Sequence, residues 1–227
     1  MIFKKEQLVD LSFPILTGKE NFKYESQVFD CAEVDPHGSY HRPDIWYVES
    51  EVTFSSHVST HVEVPFHHEE FGADCLTYPL ENLVGEAVVL NCTGKKAGEA
   101  ITLEELKKYE HMIHKGDFVF LYTGFDKKYR TEDWEPYPNL TVEACEWLMS
   151  FDLKGIGTDA STIEVQVTDC QPCHTAVFSK NGCIIESLTN LEAIDSLRVT
   201  VFILALKLER VDACPVRVLA IKDLKDC

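Results

Sequence analysis

His57, Ser59, His61, Glu63 and His67 all occupy odd positions in the segment HVSTHVEVPFH. Three imidazoles and a carboxylate among them are the side-chain types that bind borderline divalent cations. Side chains alternate across a strand, so a strand through this segment turns His57, His61 and Glu63 to one face while Val58, Thr60, Val62 and Val64 pack behind. Pro65 has no N–H to give a ladder and ends the regular pairing, which puts His67 on the turn just beyond. Taken singly, any of the nine histidines of the chain is more often a surface or satisfied core residue than a ligand. As a set on a half-buried strand they need partners, and one cation gives a partner to all of them.

A second cluster is expected on a later strand, and His174 with Glu186 is the best pair. Glu186 interrupts the apolar run Cys183-Ile184-Ile185-Glu186-Ser187-Leu188, where a carboxylate needs a buried partner. His174 precedes that run across a turn marked by Asn181-Gly182. A salt-bridged or edge-facing Glu186 fits the same letters. Cys170-Gln171-Pro172-Cys173-His174 matches the CxxCH pattern of c-type haem attachment and contains a CxxC. Covalent haem usually accompanies export, and a redox CxxC opens a helix after a strand, whereas Val167-Thr168-Asp169 reads as loop. The match is read as coincidence in a cysteine-rich chain.

The elements that must position these residues follow a mixed pattern dominated by strands. Short β-branched or aromatic runs bounded by Gly, Asp or Asn cover Leu83 to Asn91, Asp117 to Thr123, Lys154 to Thr158, Cys183 to Leu188, Arg198 to Lys207 and Val216 to Ile221. Thr102-Leu103-Glu104-Glu105 is a capping box that opens a helix running to about Tyr109. Thr141 caps a second helix, in which Cys145, Leu148 and Met149 recur at helical spacing before Phe151. A third is possible from Leu191 to Ser196. There is no GxGxxG, Walker-type loop or GxSxG elbow, so nucleotide binding and α/β-hydrolase serine chemistry are unsupported.

With 227 residues and no linker or low-complexity run, a single domain over 1–227 is expected. Hydrophobic residues at 45% and charged residues at 26% are the balance of a globular chain with a substantial core. The net charge of −17 sets up a field that repels phosphate backbones and anionic lipid, which argues against nucleic-acid and membrane partners. MIFKKEQLVDLSFPIL has no uninterrupted apolar core of a secretory signal, and no apolar run approaches 18 residues. A soluble, cytoplasmic protein is expected, with its nine cysteines mostly reduced.

The segment around His57 resembles the His-x-Gly-Thr-His-x-Asp-x-Pro-x-His signature of the metal-dependent cyclase family, which includes bacterial kynurenine formamidases and isatin hydrolases. The resemblance spans nearly the whole chain. Asp10-Leu11-Ser12-Phe13-Pro14-Ile15 is similar to the family's opening. Phe71-Gly72 through Pro79-Leu80, Val84-Gly85-Glu86-Ala87-Val88-Val89, Thr123-Gly124, Pro138 to Ala144 and Gly157-Thr158-Asp159 with Ser161 follow in the family's order. His174 and Glu186 match its late His and Glu. The resemblance implies that His57, His61 and Glu63 bind one metal, that Glu63, His174 and Glu186 hold a second, with Glu63 bridging, and that His67 is the general acid/base. It implies an α/β fold of the swivelling β/β/α type, a mixed sheet with a few helices, assembled as a homo-oligomer, dimer or tetramer.

The expected activity is metal-dependent hydrolysis of an amide, formamide or arylformamide-like, by metal-activated water. Imidazoles and carboxylates without cysteine favour Zn²⁺, one or two ions, with Mn²⁺ as the alternative. Other readings are a hydrolase or cyclase for a cyclic amide or lactone, or a metal-binding relative without turnover. Four departures bear on these. Glu63 stands where the motif has Asp, Ser59 where it has Gly, and Glu164 where a later Asp falls. The Trp-Pro-Gly-like stretch of kynurenine formamidases is replaced by Glu20-Asn21-Phe22-Lys23-Tyr24, leaving Phe22, Tyr24 or Trp46 as candidate aromatic contacts.

Overall fold

The computed structural model describes residues 3–34, 46–164, 170–196 and 198–222. Its strands are β1 (Leu8–Asp10), β2 (Tyr24–Asp30), β3 (Val48–Phe54), β4 (His61–Glu63), β5 (Val84–Asn91), β6 (Ala100–Ile101), β7 (Phe118–Tyr122), β8 (Asn139–Leu140), β9 (Gly155–Thr158), β10 (Cys183–Glu186), β11 (Arg198–Phe202), β12 (Ala213–Pro215) and β13 (Leu219–Ile221). The helices are α1 (Cys31–Val34), α2 (Leu103–Lys107), α3 (Val142–Met149) and α4 (Pro172–Phe178). Nine strands form one mixed sheet in the order β1-β13-β11-β5-β7-β9-β10-β4-β12, while β2 pairs β3 and β6 pairs β8. This is the α/β fold with a large mixed sheet and few helices that the resemblance implies.

The centre of the sheet, β5-β7-β9-β10, is parallel, and both flanks are antiparallel. Central parallel strands are covered on both faces, which is why they read as continuous apolar runs. Along β7, Phe118 and Phe120 enter one core with Val62, Val64 and Ile185, whereas Val119 and Leu121 enter the other with Ile184, α3 and α4. Gly157 on β9 is required by this packing: a Cβ there would sit 2.7 Å from Phe120 Cδ1 and 2.9 Å from Leu188 Cδ1.

Both capped helices form. Thr102 accepts from the Glu105 N–H, while Glu105 reaches back to the Thr102 N–H. Thr141 accepts from the Ala144 N–H. The expected helix at Leu191 to Ser196 is a single 3-10 turn, Leu191–Ala193. The run from Arg198 leaves the sheet after Phe202, and the expected strand over Val216 to Ile221 narrows to β13, with β12 formed earlier against β4. Among the elements not foreseen are the β2–β3 ribbon, β12 and α4, the last of which turns the stretch from Pro172 into helix. Pro172 at its first position is a compatible start because the missing N–H lies where no intrahelical partner exists. Val167-Thr168-Asp169 lies outside the described residues. Among the described residues no helix is long and apolar enough to cross a membrane.

Candidate metal centre

Strand register brings the acidic and imidazole groups together. Glu186 of β10 lies opposite His61 of β4, and Ala213 and Pro215 of β12 lie opposite Glu63 and His61. Val62 faces the first core, so period-two alternation turns His61 and Glu63 to the opposite, helix-bearing face, where Ile184 packs. His174 enters that face from the first turn of α4, and His67 from the 3-10 turn Pro65–His67.

The strand expected through His57 is shorter than the spacing suggested. Regular pairing covers only His61–Glu63, because Ser59 sits at φ 62°, a left-handed conformation no strand can continue through. His57 therefore reaches the cluster from the turn before β4. The same left-handed residue lets the Ser59 carbonyl accept the His61 Nδ1–H at 2.9 Å.

Each of four imidazoles is anchored through one ring nitrogen and turns the other toward Glu63. His61 Nδ1 is held by Ser59 O, and its Nε2 lies 3.4 Å from Glu63 Oε1 and 3.4 Å from Glu186 Oε2. His57 Nε2 is held by Asp212 Oδ2 at 2.9 Å, and its Nδ1 lies 2.8 Å from Glu63 Oε1. His174 Nδ1 meets Glu164 Oε2 at 3.2 Å, and its Nε2 lies 3.4 Å from Glu63 Oε2 and 3.7 Å from Glu186 Oε1. His67 Nδ1 meets Asp212 Oδ2 at 2.8 Å, with Nε2 at 3.9 Å from Glu63 Oε1. The two oxygens of Glu63 are thus divided, Oε1 toward His57, His61 and His67, and Oε2 toward His174. The extra methylene of Glu63 supplies reach between the two sides.

The donor set fits divalent cations. Bonds of about 2.1 Å in a tetrahedral site give ligand-to-ligand edges of about 3.4 Å, the spacing several of these atoms adopt instead of hydrogen-bond distances. Glu63 Oε2 and Glu186 Oε1 are buried without a hydrogen-bond partner, which is costly for a carboxylate unless a cation meets it. Fixing one ring nitrogen on an acceptor is also how ligating histidines are oriented. Among the described residues, His57, His61 and Glu63 form one compact group of donors and Glu63, His67 and His174 another. Glu186 adjoins both His61 and His174.

Electrostatics follow from this crowding. Burial pulls the His57 imidazole down, but hydrogen bonds to Asp212 and Glu63 more than offset it and push its pKa up to about 10. Burial likewise lowers His174, and Glu164, Glu186 and Glu63 together push it up to about 12. Burial raises the Glu63 carboxyl, yet the surrounding imidazoles hold it well below the usual carboxylate range. The hydrogen bonds from His57 and His67 depress Asp212 strongly, against a smaller opposing effect of burial.

Sequence reasoning missed Asp212. It is a lone acid before β12 with no spacing signal, brought in because its carbonyl accepts the Val64 N–H at 3.0 Å. Glu164, read only as a departure, accepts the backbone N–H groups of Cys173 at 2.7 Å and His174 at 3.2 Å, so it fixes the start of α4.

Beside the cluster lies a cavity of about 280 Å³ whose walls include His57, Ser59, His61 and Glu186 with Phe22, Tyr129 and Trp134. The Phe22 ring is 6.3 Å from that of His57. Tyr129 stacks on Phe13 at 4.1 Å and meets Trp134 edge-on at 5.1 Å. Of the three aromatic candidates, Phe22 is in this wall, Tyr24 belongs to β2, and Trp46 is 85% exposed. A larger cleft of about 470 Å³ between Phe13 and Arg217 is lined by none of the imidazoles.

The Cyclase family model matches residues 9–165. This chain is a member of the cyclase family. It is 30% identical over 164 residues to the kynurenine formamidase of Erythrobacter litoralis, covering 71% of each chain. With the isatin hydrolase of Roseibium aggregatum it shares 26% identity over 219 residues, 86% of this chain and 80% of that protein. Isatin hydrolase A from Ralstonia solanacearum superposes with a TM-score of 0.78 at 21% identity, over 95% of this chain and 92% of that one, which is a likeness of fold. A protein from Bacillus stearothermophilus described as a predicted metal-dependent hydrolase gives a TM-score of 0.71 at 25% identity, over 94% and 97% of the two chains. The cyclase-family member described here therefore combines the family's fold with a His/Glu cluster suited to a metal.

Proposed function

We propose that this cyclase-family chain is a metal-dependent hydrolase of small amides of the formamide or arylformamide kind, with Zn²⁺ or Mn²⁺ as the cation. His57, His61 and Glu63 would hold one ion and Glu63, His174 and Glu186 a second. The observation that carries this reading is the convergence of four anchored imidazoles on the two divided oxygens of Glu63. The relatives named kynurenine formamidase and isatin hydrolase support hydrolysis of a carbon–nitrogen bond.

A cation held there supplies Lewis acidity, which lowers the pKa of water toward about 7 and stabilises developing negative charge on a carbonyl oxygen. The chain's own groups do the rest. Glu63 and Glu186 balance charge in a site that water cannot screen. Asp212 fixes the His67 Nδ1–H, which leaves Nε2 on the side of the cluster to take a proton from the attacking water and return it to the departing nitrogen. Asp212 is a positioning residue for His67 and His57 together.

The β2–β3 ribbon supports a homo-oligomer. Its pairing puts Tyr24, Val28, Val52 and Phe54 on one face and Glu25, Gln27, Glu49 and Glu51 on the other. Val28 and Val52 are 59% and 48% exposed, and a two-stranded ribbon in water is marginal alone. A second copy of this chain is the proposed cover.

The test combines elemental analysis with turnover of formanilide, a cyclic amide and a lactone. Metal in the purified protein, loss of turnover on chelation and its return on adding Zn²⁺ or Mn²⁺ are expected. His67→Ala should keep the metal and lose about 10²- to 10⁴-fold in kcat. A metal-loaded wild type inactive on the whole panel would overturn the hydrolase reading in favour of a binding protein.

A further inference from the structure

Segment 14–23 lends Asn21 and Phe22 to the wall of the cavity beside the cluster. Phe22 is also 52% exposed, which puts it at the rim. None of the residues from 14 to 23 belongs to the buried core, so apolar burial does not hold this segment down. Leu16, Thr17, Gly18 and Lys19 are exposed, and Gly18 turns at φ 72° with nothing within 4 Å of where a Cβ would stand. The side chain that goes inward is a carboxylate, that of Glu20, only 2% exposed. Glu20 Oε1 accepts the Leu16 N–H at 2.6 Å and an Arg130 guanidinium N–H, while Oε2 accepts the Tyr129 hydroxyl at 2.8 Å and the Arg130 Nε–H at 3.3 Å. Arg130 also donates to the Pro14 carbonyl. Among the described residues, hydrogen bonding between 14–22 and the body runs through Arg130 and Tyr129. The Tyr129 phenol meets Ser59 as well, whose carbonyl aims His61.

We propose that 14–22 is a strap over the rim of this cavity, latched by Glu20 on Arg130 and Tyr129, and that release of the latch opens the way to the cluster. An ion pair is a reversible fastening. Parting apolar surfaces in water is penalised over their whole area, whereas a carboxylate and a guanidinium regain hydration when they separate, which largely offsets the attraction lost. A segment fastened this way lifts without unfolding the sheet beneath it. Its hinges are Phe13, whose N–H is held by Thr60 Oγ1 at 2.9 Å, and Lys23, whose carbonyl accepts the Ser55 N–H at 2.9 Å. Lifting between them carries Phe22 away from His57, 6.3 Å distant ring to ring when the latch is closed. What the strap guards rests on the metal-centre reading above; the latch rests on the contacts of Glu20.

Two rates are compared in wild type, Glu20→Ala, Glu20→Gln and Arg130→Ala: thermolysin cleavage before Leu16 or Phe22, and removal of Zn²⁺ from the loaded protein by dipicolinate. Cleavage of a native chain tracks the population of its opened form. Strap cleavage should rise about 10- to 100-fold in Glu20→Ala and Arg130→Ala, the factor for a lost hydrogen bond to a charged group, and Zn²⁺ should leave faster by a similar factor. Glu20→Gln keeps an acceptor for the phenol and loses the charge, so a smaller rise in both rates is expected; it and Arg130→Ala decide the matter if Glu20→Ala does not fold. Unchanged strap cleavage would overturn the proposal. So would cutting that spreads equally over the central strands, which marks a general loss of stability, or faster strap cleavage with Zn²⁺ removal unchanged. A wild type that takes up no Zn²⁺ would count against the metal centre itself, while the cleavage comparison still decides the latch.

Discussion

Glu63 is the residue on which the centre turns, and its surroundings fix how the metal-free protein responds to pH. His57 is raised from its ordinary 6.5 to about 10 by partners that outweigh burial. A raised histidine means that the folded chain holds a proton the unfolded chain releases first. Its contribution to stability is complete below pH 6.5 and is lost as pH rises through about 10. The chelated protein should therefore show a falling melting temperature across that window, while metal-loaded protein, whose ligand nitrogens must be deprotonated, weakens on acidification instead. Thermal melts from pH 6 to 10 with and without chelator check this, and parallel profiles would contradict it. The groups most readable in the letters were those sharing one short segment, His57, His61, Glu63 and His67, because alternate spacing and the family signature both mark them. Asp212 was not readable. It stands 155 residues from His57 and joins the cluster only through strand pairing that no local pattern encodes.

At the scale of elements, packing against β9 sets where β7 and β10 lie. Gly157 admits Phe120 and Leu188 at distances that no Cβ tolerates, so Gly157→Ala should cost about 1–3 kcal/mol through overpacking. In a domain of this size that lowers the melting temperature by roughly 2–12 °C, measurable by calorimetry; an unchanged melt would show that the sheet yields there. The central strands were legible because burial on both faces leaves continuous apolar runs, and α2 and α3 because their caps are written in Thr102, Glu105 and Thr141. The helix α4 was hidden. Seven residues give too little periodicity, and its start is held by the Glu164 carboxylate from an earlier segment. The strand through His57 was over-read for the opposite reason: alternation continued in the letters past Ser59, where the backbone turns left-handed.

For the whole molecule, the exposed apolar face of the β2–β3 ribbon calls for a covering surface. Light scattering coupled to size exclusion should give two or four times the 25.8 kDa of one chain. Val28→Glu with Val52→Glu, which places like charges on the face the two residues share, should shift the protein toward 25.8 kDa. A wild type that runs as a single chain at every concentration would refute the assembly.

The anchors of the four imidazoles come from widely separated stretches: the Ser59 carbonyl, Glu164, and Asp212 beside the last strands. During synthesis the early histidines emerge long before the carboxylate that orients two of them. A nascent chain short of residue 212 lacks the group that orients His57 and His67, so on the proposed metal-dependent reading the geometry for an ion would be completed only once the last strands are in place.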